Sequence, residues 1–189
     1  MSKEISLEEV KKFWPQTAPD INNIKKYVEK YKDEIAVVIT EPIQGSNPKE
    51  SDVKFMRDLR KVTQESNVLL AFDEIITGGR LGLGGFQKRY GILGDLASYG
   101  KIFGGGLPFG FIGGTTQIME TIHDPASRGR NNSTNKPLIL GGTFTGNPLT
   151  LSSCNYLLNH IRENEEEIYL LTNYAKRSFL CTANLSKRK

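Results

Sequence analysis

Apolar positions along this chain fall into short runs separated by longer amphipathic stretches, the alternation expected of strands and helices in turn. Asp20, after Pro19, can cap a helix in which Ile21, Ile24, Val28 and Tyr31 recur at helical spacing with lysines and glutamates between them. EIAVVITEP (34–42) is a β-branched run stopped by Pro42, which predicts a buried parallel strand. The turn IQGSNPKES (43–51) is rich in breakers, and its Ser51 can cap a helix over about 52–66 with Phe55, Leu59 and Val62 on one face. Asn67 closes that helix and VLLAFD (68–73) resumes as a strand, completing a βαβ unit.

Residues 77–95 (TGGRLGLGGFQKRYGILGD) read as a glycine-rich loop with little room for regular structure. A third strand is expected over 96–99 and a fourth over 109–113, and Ile118, Met119 and Ile122 suggest a short helix after them. A polar loop is expected over 123–142. GTFTGNP (142–148) then leads into a helix with Pro148 in its first turn and Leu151, Cys154, Leu157, Leu158 and Ile161 along it. A last helix over about 163–180 would turn Ile168, Leu171, Ala175 and Phe179 inward. The expected class is α/β, a mainly parallel sheet with flanking helices, formed by residues 19–180 between a lead-in (1–18) and a tail (181–189).

The 189 residues suffice for one domain, and 38% hydrophobic with 24% charged residues is ordinary for a globular chain. The net charge of +4 owes much to the closing Lys187-Arg188-Lys189, and no basic stripe interleaved with aromatics suggests nucleic acid. Cys154 and Cys181 form no C-x-x-C pair, which favours reduced thiols in the cytosol over zinc or a disulfide framework. His123 and His160 share no metal-ligand spacing, so no metal is expected. The N-terminal residues are too polar for a secretory signal, and no apolar run is long enough to span a membrane.

The chemistry concentrates at two strand ends. Lys101 follows a short apolar run and precedes Gly104, Gly105 and Gly106, whose bare backbone a flat ligand could approach. An apolar pocket there would disfavour the ammonium and leave a neutral amine able to attack an aldehyde, the condition for a Schiff base. The competing reading is a solvent-exposed loop lysine. A phosphate loop of the nucleotide-binding kind is excluded, because it places lysine after its glycines and before Ser or Thr. A dinucleotide fingerprint fits neither glycine cluster.

Asp73, ending the strand before, lies where open α/β sheets bind ligands, and a carboxylate there could keep a pyridine nitrogen protonated. It could equally cap a turn. Glu74 points the other way and is expected in a structural ion pair. Ile75 could press on a flat ring or pack in the core. The run Gly141 to Pro148, with small residues, hydroxyls and free N–H groups before a helix, could cradle a phosphate or simply cap that helix through Thr145 or Asn147.

Taken together, EPIQG (41–45), AFDEIITGGR (71–80), DLASYGKIFGGGLPFGFIGG (95–114) and GTFTGNPL (142–149) resemble the class III aminotransferases, most of all the glutamate-semialdehyde aminomutase branch. The resemblance runs in the family's order over about 20–180. It implies the large domain of a fold-type I, pyridoxal 5'-phosphate-dependent protein acting in the cytoplasm. It also implies that Lys101 carries the Schiff base and moves a proton once displaced, that Asp73 pairs with the pyridinium nitrogen, and that Ile75 packs on the ring. Thr143 would bind the cofactor phosphate, usually across a homodimer interface. The implied substrate is a small amino acid or amino/keto compound. Ile76 and Ser46 stand where many ω-aminotransferases carry Gln and Glu, which argues for the aminomutase-like branch or for amination modules of polyketide-type assembly lines. Members of the family are more than twice as long, and the resemblance implies that their upstream phosphate loop, ring-stacking aromatic and small C-terminal domain lie outside the stretch it covers. The resemblance therefore implies the central piece of the large domain. The alternative function is an inactive fragment that binds or scaffolds a partner.

Overall fold

The computed structural model describes residues 20–45, 52–122 and 142–171. The expected lead-in and tail, the cap at Ser51, the loop 123–141 and the inward Ala175 and Phe179 lie outside the described residues.

Helix α1 (Ile21–Tyr31) starts where Asp20 Oδ1 accepts the Asn22 N–H at 3.0 Å, and it buries Val28. Strand β1 (Val37–Thr40) is followed by α2 (Asp52–Glu65) and β2 (Leu69–Asp73). Asn67 takes a left-handed φ of 53° to end the helix and turn the chain into β2. Strand β3 (Leu96–Gly100), a single 3-10 turn (Lys101–Gly104) and β4 (Gly110–Gly114) follow. The sheet order is β1-β2-β3-β4, with β1, β2 and β3 mutually parallel and β4 antiparallel to β3. The α/β class and the mainly parallel sheet expected from the sequence are therefore found.

Leu70 and Phe72 of β2, Met56 and Leu59 of α2, Phe86 and Ala97 form the main core. Val28, Val62 and Val68 close a smaller cluster between α1, α2 and the start of β2. Removing a side chain such as Leu70 from water stabilises the fold by about 2 kcal/mol. Thr63 is fully buried, and its hydroxyl meets the Arg60 carbonyl at 3.0 Å. Helix α4 (Thr116–Ile122) follows β4, and α5 (Pro148–Glu163) packs on the 3-10 turn through Phe103, Cys154 and Ile161. Asn147 caps α5, its side chain accepting the Thr150 N–H, with Pro148 at the start as expected. Residues 165–171 continue as a helix, α6.

Three expectations need correction. Strand β1 is not buried on both faces: it is an edge of the sheet, and Ile39 is 70% exposed. Residues 77–95 are not without regular structure: Gly85–Tyr90 form α3, with Phe86 completely buried against Phe72. Leu171 is not inward, because α6 is held by Ile168 and by polar ties from Glu165 rather than by that position.

Candidate active site

Parallel pairing puts Asp73 directly across from Ser98, so the carboxyl ends of β2 and β3 lie side by side. Lys101 comes three residues beyond Ser98 at the same edge. Strand spacing and rise put its backbone on the order of 10 Å from that of Asp73. Asp73 Oδ1 accepts the Ile75 N–H at 3.0 Å and the Ser98 hydroxyl at 3.2 Å. Its carboxylate is oriented, and no cation among the described residues pairs with it.

Lys101 has a left-handed φ of 48°, an uncommon conformation for a side chain with a Cβ, and the pleat of β3 does not continue through it. Its side chain is exposed and no hydrogen bond or ion pair among the described residues engages its amine. The apolar pocket expected around the amine is not built by these residues. Beneath it the chain is well packed: Gly100 is buried, Phe103 is 1% exposed and meets Tyr99 edge-on, and Ser153 Oγ of α5 donates to the Gly104 carbonyl at 3.1 Å.

Ile75 is half-buried and approaches Gly100, where a Cβ would lie 3.9 Å from Ile75 Cγ1 and 3.0 Å from the Phe109 carbonyl oxygen. The edge between Asp73 and Lys101 is thus lined by bare backbone and one branched aliphatic side chain. Thr143 is exposed in the turn before α5, and no hydrogen bond joins it to Asp73, Ile75 or Lys101. The turn closes on itself, the Gly142 N–H donating to Thr145 Oγ1 at 2.9 Å. The structure brings Asp73, Ile75 and Lys101 to one edge, and no hydrogen bond among the described residues ties Thr143 to them.

Among the described residues Glu74 is in no ion pair, contrary to expectation. It is fully buried, and its carboxylate accepts the Thr77 hydroxyl at 2.7 Å and the N–H groups of Phe86 and Gln87 at 2.7 and 3.1 Å. Gln87 in turn donates to the Tyr99 hydroxyl at 3.1 Å and accepts the Gly94 N–H at 2.8 Å. Burial, helped by the Glu74 charge, pushes the Tyr99 phenol up, so it stays protonated. Sequence reasoning missed Gln87, Ser98 and Tyr99. Ser98 alone left a signal, as a polar residue inside an apolar strand.

The aminotransferase class-III family model matches residues 4–188. The chain belongs to the class-III aminotransferase family. The glutamate-1-semialdehyde 2,1-aminomutase of Methanospirillum hungatei is 42% identical over 135 residues, covering 71% of this chain and 30% of the relative. That of Salinibacter ruber is 37% identical over 161 residues, covering 83% of this chain and 34% of the relative. Among solved structures, an omega-transaminase from Sphaerobacter thermophilus superposes with a TM-score of 0.63 at 33% identity, over 75% of this chain and 31% of that one. A glutamate-1-semialdehyde-aminomutase from Pseudomonas aeruginosa in complex with PMP gives 0.58 at 26%, over 74% and 30%. This class-III chain spans about a third of the length of the relatives it matches.

Its residues fit a pyridoxal-type cofactor in chemical kind. Among the described residues, a carboxylate with no cation partner, an unengaged amine and a side-chain-poor backbone beside Ile75 share one sheet edge. No helix among the described residues is long and apolar enough to cross a membrane, and no group of His, Cys, Asp and Glu among them could hold a metal ion.

Proposed function

We propose that this chain carries the central cofactor-holding edge of a pyridoxal 5'-phosphate-dependent amino-group transfer protein of the glutamate-semialdehyde aminomutase type. The support is the pairing of β2 with β3, which sets the carboxylate of Asp73 and the amine of Lys101 at neighbouring strand ends. When bound, the cofactor supplies an aldehyde and an electron-accepting pyridinium ring. Lys101 Nζ would be the atom that holds it and, once free, would serve as general acid and base for the proton. Asp73, oriented by Ser98 and the Ile75 N–H, would hold the ring nitrogen and favour its protonated form. Ile75 would pack on one face of the ring.

Thr143 would contribute a phosphate contact from a partner subunit in a homodimer. The substrate class is a small amino acid or amino/keto compound, handled in the cytoplasm. Exposure of Lys101 favours a second reading, a non-catalytic chain that binds a partner.

The two are separated by adding cofactor to the purified chain. A visible absorption band that borohydride removes, with the reduced adduct mapped to the Lys101 peptide, is expected; Lys101→Ala abolishes both. A band that survives in Lys101→Ala overturns the assignment, and no band in the parent chain favours the second reading.

A further inference from the structure

Five hydrogen bonds connect the ends of β2 and β3 on the side of the sheet away from Asp73. Glu74 Oε2 accepts from Thr77 Oγ1 and the Phe86 N–H, and Glu74 Oε1 accepts from the Gln87 N–H. Gln87 passes the connection to Tyr99 through its side-chain amide, and its Oε1 holds Gly94 just before β3. The Glu74 N–H itself donates to the Ser98 carbonyl at 2.9 Å, so the residue ties both strands by backbone and side chain. Tyr99 lies two residues before Lys101, and Glu74 is next to Asp73. A Cβ at Gly85 would overlap the Glu74 carboxylate, so α3 approaches as closely as glycine allows.

We propose that Glu74, acting through Gln87 and Tyr99, is a positioning residue that fixes Asp73 and Lys101 relative to each other, with α3 as the brace between the two strand ends. The inference rests on the role given above to Asp73 and Lys101, but its mechanical part does not. A carboxylate is needed at position 74 because it faces three donors and offers none. Glutamine keeps the shape and turns an NH2 group toward donors, which opens the brace. Tyr99→Phe keeps the ring against Phe111, 4.8 Å away and nearly parallel, and removes only the hydroxyl that receives Gln87.

The test has two arms on the full chain. Without cofactor, amide exchange is followed residue by residue. Glu74→Gln is expected to speed exchange about tenfold at Ile75 and Gly100 as well as at Phe86 and Gln87, and Tyr99→Phe at Gly94 and Gly100, while Val38 and Ile39 of β1 stay unchanged. Acceleration confined to Phe86 and Gln87 in Glu74→Gln, with none in Tyr99→Phe, overturns the proposal and leaves a helix cap. With pyridoxal phosphate added, Glu74→Gln is expected to bind about tenfold more weakly, the scale of one charge-assisted hydrogen bond, and Tyr99→Phe about fivefold more weakly, the scale of a neutral one, and both to move the pH midpoint of the visible band. A normal midpoint and affinity in folded Glu74→Gln and Tyr99→Phe also overturns it. Failure of the cofactor reading itself would show differently, as a band kept by Lys101→Ala.

Discussion

At Asp73 the decisive detail is that both donors reach the same oxygen. The Ile75 N–H and the Ser98 hydroxyl fix the direction of the carboxylate while its charge stays available for a cation in front of it. Ser98→Ala removes the one donor that comes from the neighbouring strand. Loss of about 1 kcal/mol is expected, so pyridoxal phosphate should bind roughly fivefold more weakly while the melting temperature moves little; titration of the visible band against cofactor checks it. An unchanged affinity would mean that the Ile75 N–H alone orients the carboxylate. This level was partly legible in the sequence. Asp73 and Lys101 announce themselves as polar residues at the exits of apolar runs. The role of Glu74 does not show in the sequence, because two of its three partners are backbone N–H groups twelve and thirteen residues on and the third is a neutral hydroxyl rather than a cation. The left-handed turn at Lys101 was equally hidden, since nothing in the residue type asks for it.

Between elements, the strongest polar tie joins α2 to the start of β3. Arg60 grips Asp95 with two bonds, at 2.6 and 2.9 Å, and Asp95 Oδ2 also accepts the Leu70 N–H at 2.8 Å. Both side chains are mostly covered, 20% and 16% exposed. Burial pushes the Asp95 carboxyl up, but the Arg60 hydrogen bonds and charge, with the Leu70 N–H, outweigh it and hold the carboxyl below its ordinary range. A carboxyl lowered on folding stabilises the chain above its unfolded value and loses that contribution as pH falls through the folded one. Urea unfolding is therefore expected to be level near neutrality and to weaken from about pH 4 downward. Asp95→Asn should cost about 2 kcal/mol at neutral pH and converge with the parent chain in acid; parallel pH slopes for the two would refute the assignment. Helices α1 and α5 were readable from period and caps, and α2 from period. Helix α3 was not, because six residues between Gly84 and Gly91 are too few to show a period, and the carboxylate that meets its N-terminal N–H groups comes from the end of β2.

Across the whole molecule, apolar side chains are unevenly covered. The interior of the sheet is closed by Leu70 and Phe72, whereas β4 leaves Phe111 38% and Ile112 54% exposed. On α5, Leu149 and Tyr156 are seven residues apart, hence on one helix face, and are 68% and 72% exposed; Phe144 in the preceding turn is 83% exposed. The sequence pattern marked which positions are apolar and in what order the strands come. It could not mark which apolar positions stay uncovered, since coverage depends on what packs over a face rather than on its period, and β1 at the sheet edge shows the same limit. Contiguous exposed apolar area of this kind promotes association. Replacing Leu149 and Tyr156 together by lysine adds charge on an outward face while leaving the buried Cys154 and Ile161 on the other face of α5 untouched. The double variant is expected to keep the melting temperature of the parent chain and to lower its concentration-dependent mass in sedimentation velocity. An unchanged association with unchanged melting would move the sticky surface away from α5, to the uncovered edges at Ile39 and Ile112.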